Sequence, residues 1–205
     1  MNRLLAALLI SFCVSAFAGA SEGEATYQTC SACHGAAGQG NEALASPQLA
    51  GQQQAYLIEQ LINFRSGYRG NAKDDTHGQV MMASAQALTD DDIEAVSAYL
   101  SALPSQSYTS TSTSGDAQQG SVFYKENCRD CHGGAAQGIV SIYAPNLIVL
   151  QDWYIRNQIA AYRGGWRGNA QSSTRAKHMR SMAGVFTEQQ ELENVIAWLN
   201  TIRAQ

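Results

Sequence analysis

Cys30-Ser31-Ala32-Cys33-His34 recurs as Cys128-Arg129-Asp130-Cys131-His132, and this pair of C-x-x-C-H stretches decides how the 205-residue chain is read. Two thiols three residues apart reach the two vinyl-derived carbons on one edge of a porphyrin. The histidine that follows swings under the ring to the iron, so the pattern is the attachment signature of a c-type haem. A structural zinc site is the competing chemistry, but its two cysteine pairs ordinarily stand about 15–20 residues apart. Cys33 and Cys128 are much farther apart than that. A disulfide within each C-x-x-C is the remaining alternative. The expectation is two covalent haem c groups, on Cys30 and Cys33 and on Cys128 and Cys131, with His34 and His132 each filling one axial position.

Residues 1–18 read as a signal peptide: Asn2-Arg3, then an uncharged apolar run from Leu4 to Phe17, then a small-x-small site at Ala16-Phe17-Ala18. Ala18-Gly19-Ala20 is the second cleavage choice. The run is short for a membrane span, which needs about 20 apolar residues. Cys13 leaves with it, and bulky Phe12 before it argues against lipid attachment. The remaining four cysteines all belong to the two motifs. Export fits this, because c-type haems are attached outside the cytoplasm, so a periplasmic location is expected. No later stretch is apolar enough for a membrane anchor.

Around the motifs lies a longer repeat with a constant offset of 98. It pairs Gly40 with Gly138, Pro47 with Pro145, Tyr56 with Tyr154, Gln60 with Gln158 and Arg65 with Arg163. It also pairs Arg69-Gly70-Asn71-Ala72 with Arg167-Gly168-Asn169-Ala170, and Met81 with Met179. The register runs without a gap from Cys30 to Leu88. Near the end it slips by one, so that Ile93, Val96 and Tyr99 match Leu192, Val195 and Trp198. Residues 104–115 are Ser/Thr-rich, uncharged and almost without apolar side chains, the composition of a linker. Domains of 19–103 and 116–205 follow. Units this short bury little apolar surface alone, and a covalent haem would give each a large rigid core.

Each repeat reads as all-helical. A first helix leads into the motif, from Glu22 in one repeat and Asp116 in the other, with Tyr27 and Phe123 or Tyr124 facing the haem. A middle helix carries Leu57, Leu61 and Phe64, or Ile155, Ile159 and Tyr162, at i, i+4, i+7, and ends at Gly67 or Gly165. A last helix starts after Thr89 or Thr187, each suited to an N-cap. No window shows sustained β alternation.

The sixth iron ligand decides function, since an open site binds small molecules and a closed one passes electrons. His/Met ligation marks electron-transfer cytochromes. Met81 and Met179 share one place in the repeat, seven residues before Leu88 and Phe186; Met82 and Met182 have no counterpart at the offset. Met81 and Met179 are therefore the expected ligands. His77 and His178 do not match at the offset and read as surface or supporting residues. A backbone carbonyl near Pro47 or Pro145 is expected to accept the bond from the ligand imidazole and orient it. Arg65, Arg69, Arg163 and Arg167 follow the middle helices and are candidate partners for haem propionates.

Taken together these residues resemble the cytochrome c4 family of two-haem periplasmic electron carriers. The likeness rests on Cys30 to Gly35, Pro47 to Gln52, Tyr56-Leu57, Gln60-Leu61, Phe64 to Arg69, Met81 and Leu88 to Leu100, and covers nearly all of the chain after the signal. It implies two tandem class I cytochrome c domains, each wrapped around a covalent haem. It also implies His34/Met81 and His132/Met179 ligation, low-spin haems, and propionate edges facing each other. Repeat two departs from the pattern where Ile148-Val149-Leu150 replaces Ala50-Gly51-Gln52.

The net charge of −4 is unevenly spread. Residues 19–103 hold ten acids and three bases, about −7; residues 104–205 hold seven acids and nine bases, about +2. Such a dipole steers docking, and no nucleic-acid partner is expected. The expected partners are redox proteins: a cytochrome bc-type complex or a dehydrogenase as donor, a terminal oxidase or other reductase as acceptor. The leading function is a non-enzymatic single-electron carrier. The alternatives are the cytochrome subunit of a periplasmic dehydrogenase complex and a dihaem peroxidase, which would need an available sixth site.

Overall fold

A computed structural model describes residues 22–106, 108 and 114–204. The segment expected to direct export, 1–18, lies outside the described residues, as do 107 and 109–113 of the Ser/Thr stretch. Helix α1 covers 22–34, α2 Gln54–Arg65, α3 Thr76–Ala85 and α4 Asp90–Ala102. The pattern repeats as α5 Ala117–Asn127 and α6 Arg129–His132, then α7 Asp152–Arg163, α8 Thr174–Ala183 and α9 Gln189–Arg203. Among the described residues there are no strands, only the single bridges Asn41–Ser46 and Ile139–Ala144, again 98 apart. No helix among the described residues is long and apolar enough to cross a membrane.

Each unit is built on a crossing between its first and last helices, and a glycine permits it. A Cβ on Gly120 of α5 would lie 1.8 Å from the Asn194 carbonyl oxygen of α9, and one on Gly23 would lie 2.2 Å from that of Ala95 in α4. The backbones touch there, so no side chain fits. One turn on, Tyr27 and Tyr124 are buried and donate from their hydroxyls to the Gly35 and Gly133 carbonyls, at 2.6 and 2.7 Å. Tyr124, rather than Phe123, is thus the structural match of Tyr27. Phe123 instead stacks on Phe186 at 4.9 Å. Tyr27 and Tyr124 are 97 apart whereas their partners are 98 apart, and the chain absorbs the extra residue by breaking helix at Cys128, where α1 runs on unbroken.

The second slip is also located. Thr89 caps α4, accepting from the Asp92 N–H. At α9 the N-cap is Glu188, one residue beyond the expected Thr187. The Glu191 carboxylate reaches back to accept from the backbone N–H of both Thr187 and Glu188. An inserted glutamate thus takes the cap and shifts the last helix by one.

The two units meet through an approximate two-fold relation. Gln53 donates to the Gln137 carbonyl and Gln151 to the Gln39 carbonyl, each at 2.9 Å. Both glutamines and both acceptors are 98 apart. Each glutamine amide fills the space where Gly40 or Gly138 would carry a Cβ, 2.7 and 2.5 Å away, and both glycines have positive φ. Where the repeats diverge, the symmetry fails. Gln48 donates to the Val149 carbonyl, and Gln52 both donates to the Asn146 carbonyl and accepts from its N–H. Leu150, the counterpart of Gln52, is buried in the second core instead. Besides that bond to Val149, the substituted loop 148–150 is held from within its own unit: Arg203 donates to the Ile148 and Leu150 carbonyls while pairing with buried Asp152.

The crossing makes a specific forecast. Gly120→Ala should destabilise the protein by about 1–3 kcal/mol, the range for overpacking, read as a lowered midpoint in denaturant. Gly134→Ala should be neutral, because nothing lies within 4 Å of its would-be Cβ and the first repeat carries Ala36 at that place.

Candidate functional site

In both units the C-x-x-C-H stretch ends a helix against a glycine, Gly35 or Gly133, at φ near 83 and 82°. Backbone bonds close the following loop: Gly40 N–H to the His34 carbonyl and Gly138 N–H to the His132 carbonyl, both 2.8 Å. The chain then returns so that the Pro47 carbonyl lies 2.9 Å from His34 Nδ1, and the Pro145 carbonyl 3.2 Å from His132 Nδ1. With Nδ1–H donating there, Nε2 is left with its lone pair. Both rings are buried, at 4 and 7% exposure, and burial pushes both imidazole pKa values down despite the proline carbonyls. The neutral ring that results is the form that binds a metal.

His34 Nε2 is buried and has no hydrogen-bond partner. A buried polar atom in that state costs about 1–3 kcal/mol, so it marks a place for a ligand the polypeptide does not itself supply. None of the four motif cysteines is paired in a disulfide, so all four side chains are available for attachment. Burial and the adjacent thiol push Cys128 up to about 12, and burial also raises Cys30. Both lie against the apolar cores of their units. Among the described residues no three His, Cys, Asp or Glu side chains converge to hold a metal ion, so the zinc reading has no site. A large apolar group carrying a metal on its face fits this donor set.

The methionines occupy matching helices. Met81 stands in α3 and Met179 in α8, both partly buried. Met179 packs on the same cluster as Cys128. Met82 instead faces the Gly67–Gly70 loop. His77 and His178 are exposed.

The four arginines separate into two kinds. Arg65 donates to the Leu88 carbonyl and pairs with Asp90 at the start of α4, and Arg163 is exposed. Arg69 and Arg167 turn into the boundary between the units. Arg69 donates to Gln60 of its own unit and to Gln158 and Tyr154 of the other, at 2.8, 2.9 and 3.0 Å. Arg167 donates to Gln158 of its own and Gln60 of the other, at 2.7 and 3.0 Å, and bonds with Tyr56. Each guanidinium stacks on an aromatic ring of its own unit, Phe64 or Tyr162, at 4.3 Å. Burial raises the Tyr154 pKa, but the two guanidinium charges outweigh it and hold it below the ordinary value. The glutamine pair was visible in the repeat, but its role across the boundary was not.

The cytochrome c family model matches residues 20–104 and again 117–203. The chain belongs to the cytochrome c family. A thiosulfate dehydrogenase electron acceptor from Stutzerimonas stutzeri (strain A1501) is 31% identical over 197 residues, 87% of this chain and 86% of its own. Cytochrome c4 of Pseudomonas aeruginosa is 27% identical over 181 residues, 82% of this chain and 85% of its own. The crystal structure of reduced recombinant cytochrome c4 from Pseudomonas stutzeri superposes at TM-score 0.66 with 25% identity, covering 88% of this chain and 96% of that one. Its similarity to the cytochromes c4 supports the coarser description: two tandem helical cytochrome c domains with two covalently bound haem c groups, acting as a dihaem electron carrier.

The buried tyrosine of each domain can be tested directly. Tyr124→Phe removes one of the two bonds that the Gly133 carbonyl accepts, leaving that from the Ala136 N–H, and should lower stability by about 0.5–1.5 kcal/mol. Chemical unfolding followed by far-ultraviolet circular dichroism reads this.

Proposed function

We propose that the chain is exported to the periplasm and there carries single electrons between respiratory-chain proteins, without acting on a substrate. The observation that carries this reading is the same constellation in both domains. Each has a thiol pair, an imidazole oriented by a proline carbonyl, and a methionine two helices further on at one repeat offset. Each haem c supplies a one-electron iron couple. The polypeptide contributes the rest. Cys30, Cys33, Cys128 and Cys131 attach the groups. His34 and His132 present Nε2, and Pro47 and Pro145 hold those rings from rotating. Met81 and Met179 would supply the remaining iron ligand in each domain, and no site for a substrate would then be left on the metal. Closed sites favour a carrier over a peroxidase.

A second reading is favoured by one comparison: the relative from Stutzerimonas stutzeri accepts electrons from thiosulfate dehydrogenase. On that reading the chain accepts electrons from a periplasmic dehydrogenase and works beside it. Isolation as a free protein or in a stable complex separates the two. The acidic first and near-neutral second domain suit two docking partners, the cytochrome bc-type complex or dehydrogenase on one side and a terminal oxidase or other reductase on the other.

Met81→Ala and Met179→Ala should each abolish half of the weak long-wavelength absorption of sulfur-bound ferric iron and lower one midpoint potential. If both variants keep the full band, these methionines are not the ligands.

A further inference from the structure

Each peptide group that orients a ligand imidazole is also held from its other side. A trans peptide points its C=O and its N–H in opposite directions. The Pro47 carbonyl faces His34 Nδ1 at 2.9 Å, and the N–H of the same peptide unit, that of Gln48, donates to Gln151 Oε1 at 3.0 Å. In the second domain the Pro145 carbonyl faces His132 Nδ1 at 3.2 Å, and the N–H of that unit, that of Asn146, donates to Gln52 Oε1 at 2.9 Å. Both accepting glutamines belong to the opposite domain, and both are buried, Gln52 at 2% and Gln151 at 6% exposure. Each is fixed by a further bond from its own amide, Gln151 to the Gln39 carbonyl and Gln52 to the Asn146 carbonyl.

This crossed arrangement is kept where the repeat itself is not. Gln151 is the offset counterpart of Gln53, not of Gln52. A strict mirror would give the Asn146 N–H to Gln53 Oε1, and that oxygen is instead buried without a partner. Gln52 takes its place, although its own counterpart is the apolar Leu150. Two different positions thus supply the same amide oxygen to equivalent N–H groups. Satisfying a buried N–H is one reason for an acceptor there. The effect on the imidazole is a second.

Hydrogen bonds in series polarise one another. An oxygen that draws on the N–H enriches the carbonyl at the other end of that peptide, which then pulls harder on the imidazole Nδ1–H. A ring held in this way is a more basic ligand through Nε2, and a more basic ligand favours ferric over ferrous iron. We infer that Gln151 and Gln52 are positioning residues that act across the boundary: each lowers the midpoint potential of the haem in the opposite domain, through one peptide group and one imidazole. The packing of either domain thereby sets part of the other's potential. The inference rests on the two-haem carrier reading, with His34 and His132 as iron ligands.

The test uses the full-length holoprotein, with haems counted first. Gln151→Leu removes the acceptor behind His34. Gln52→Leu combined with Gln53→Leu removes the one behind His132 and keeps the free Gln53 oxygen from replacing it. Gln53→Leu alone is the control, since it cuts a different tie between the domains, the bond to the Gln137 carbonyl, without touching a bond to either proline peptide. Nuclear magnetic resonance of isotope-labelled protein tells the haems apart by the assigned ring protons of His34 and His132. In a redox titration Gln151→Leu should raise the midpoint of the first domain's haem and leave the second, so that its ratio of reduced to oxidised form at a fixed potential rises several-fold. The double variant should raise the second and leave the first. The Nδ1–H of the affected histidine should exchange faster with solvent in the same crossed order. If Gln151→Leu does not yield holoprotein, Gln151→Met is judged by the same criterion. A shift confined to the haem of the substituted domain, equal shifts in both haems, no shift in either, or a matching shift from Gln53→Leu overturns the inference. Wild-type protein lacking two haems would instead overturn the carrier reading, which separates the two failures.

Discussion

An imidazole clasped at Nδ1 by one backbone carbonyl, which leaves Nε2 for a ligand, is the constraint that the rest of each domain serves. In the first domain the polypeptide fixes the His34 ring by its Nδ1 and leaves Nε2 buried without a partner. To bring the Pro47 carbonyl to His34, the chain must turn sharply just after the motif, and the glycine at 35, the loop closed by Gly40 and the bridge at Asn41–Ser46 are the means. To keep water away from the ring, the first and last helices must cross at contact distance, which Gly23 and Gly120 allow. A small domain cannot assemble so much around so little apolar surface unless a rigid group completes the core, and the cytochrome c family assignment supplies it.

The relation between the domains follows from duplication of that unit. Two copies of one surface facing each other make reciprocal contacts, as any isologous interface does. Gln53 with Gln137 mirrors Gln151 with Gln39, and Arg69 with Gln158 mirrors Arg167 with Gln60. Divergence shows where the mirror is broken. Gln52 has taken the Asn146 backbone, Gln53 Oε1 is left buried without a partner, and Leu150 has turned inward under the hold of Arg203. Of the Ser/Thr stretch, the described residues meet both domains. Ser105 packs near Gly51, and Tyr108 lies by Arg203 at 5.9 Å.

Much of this was legible in the sequence. The offset of 98 placed the helices, the haem motifs, the matching prolines and methionines, and the apolar stripes now seen as Leu57, Phe64, Ile155 and Ile159 in the cores. What escaped has a physical reason. An offset states that two residues are equivalent; it does not state that they touch. Arg69 and Arg167 read as independent members of two loops, whereas they share acceptors across a boundary that only the packed structure defines. The choice between Phe123 and Tyr124 turned on a helix break at Cys128, and the start of α9 on a glutamate cap, both one-residue events that periodicity does not resolve. The arginine loops carried the information that mattered, in the recurrence of Gln60 and Gln158 nine residues before Arg69 and Arg167, but glutamine is too common on helices to be singled out without the fold.

The account stands on the claim that the two irons are closed to substrates and pass electrons one at a time. A potentiometric titration of the purified full chain, followed by visible and low-temperature magnetic resonance spectra, tests it most directly. It should show two one-electron steps, and low-spin ferric haem in both domains. A high-spin ferric signal at rest in either domain, or a single haem per chain, would contradict it.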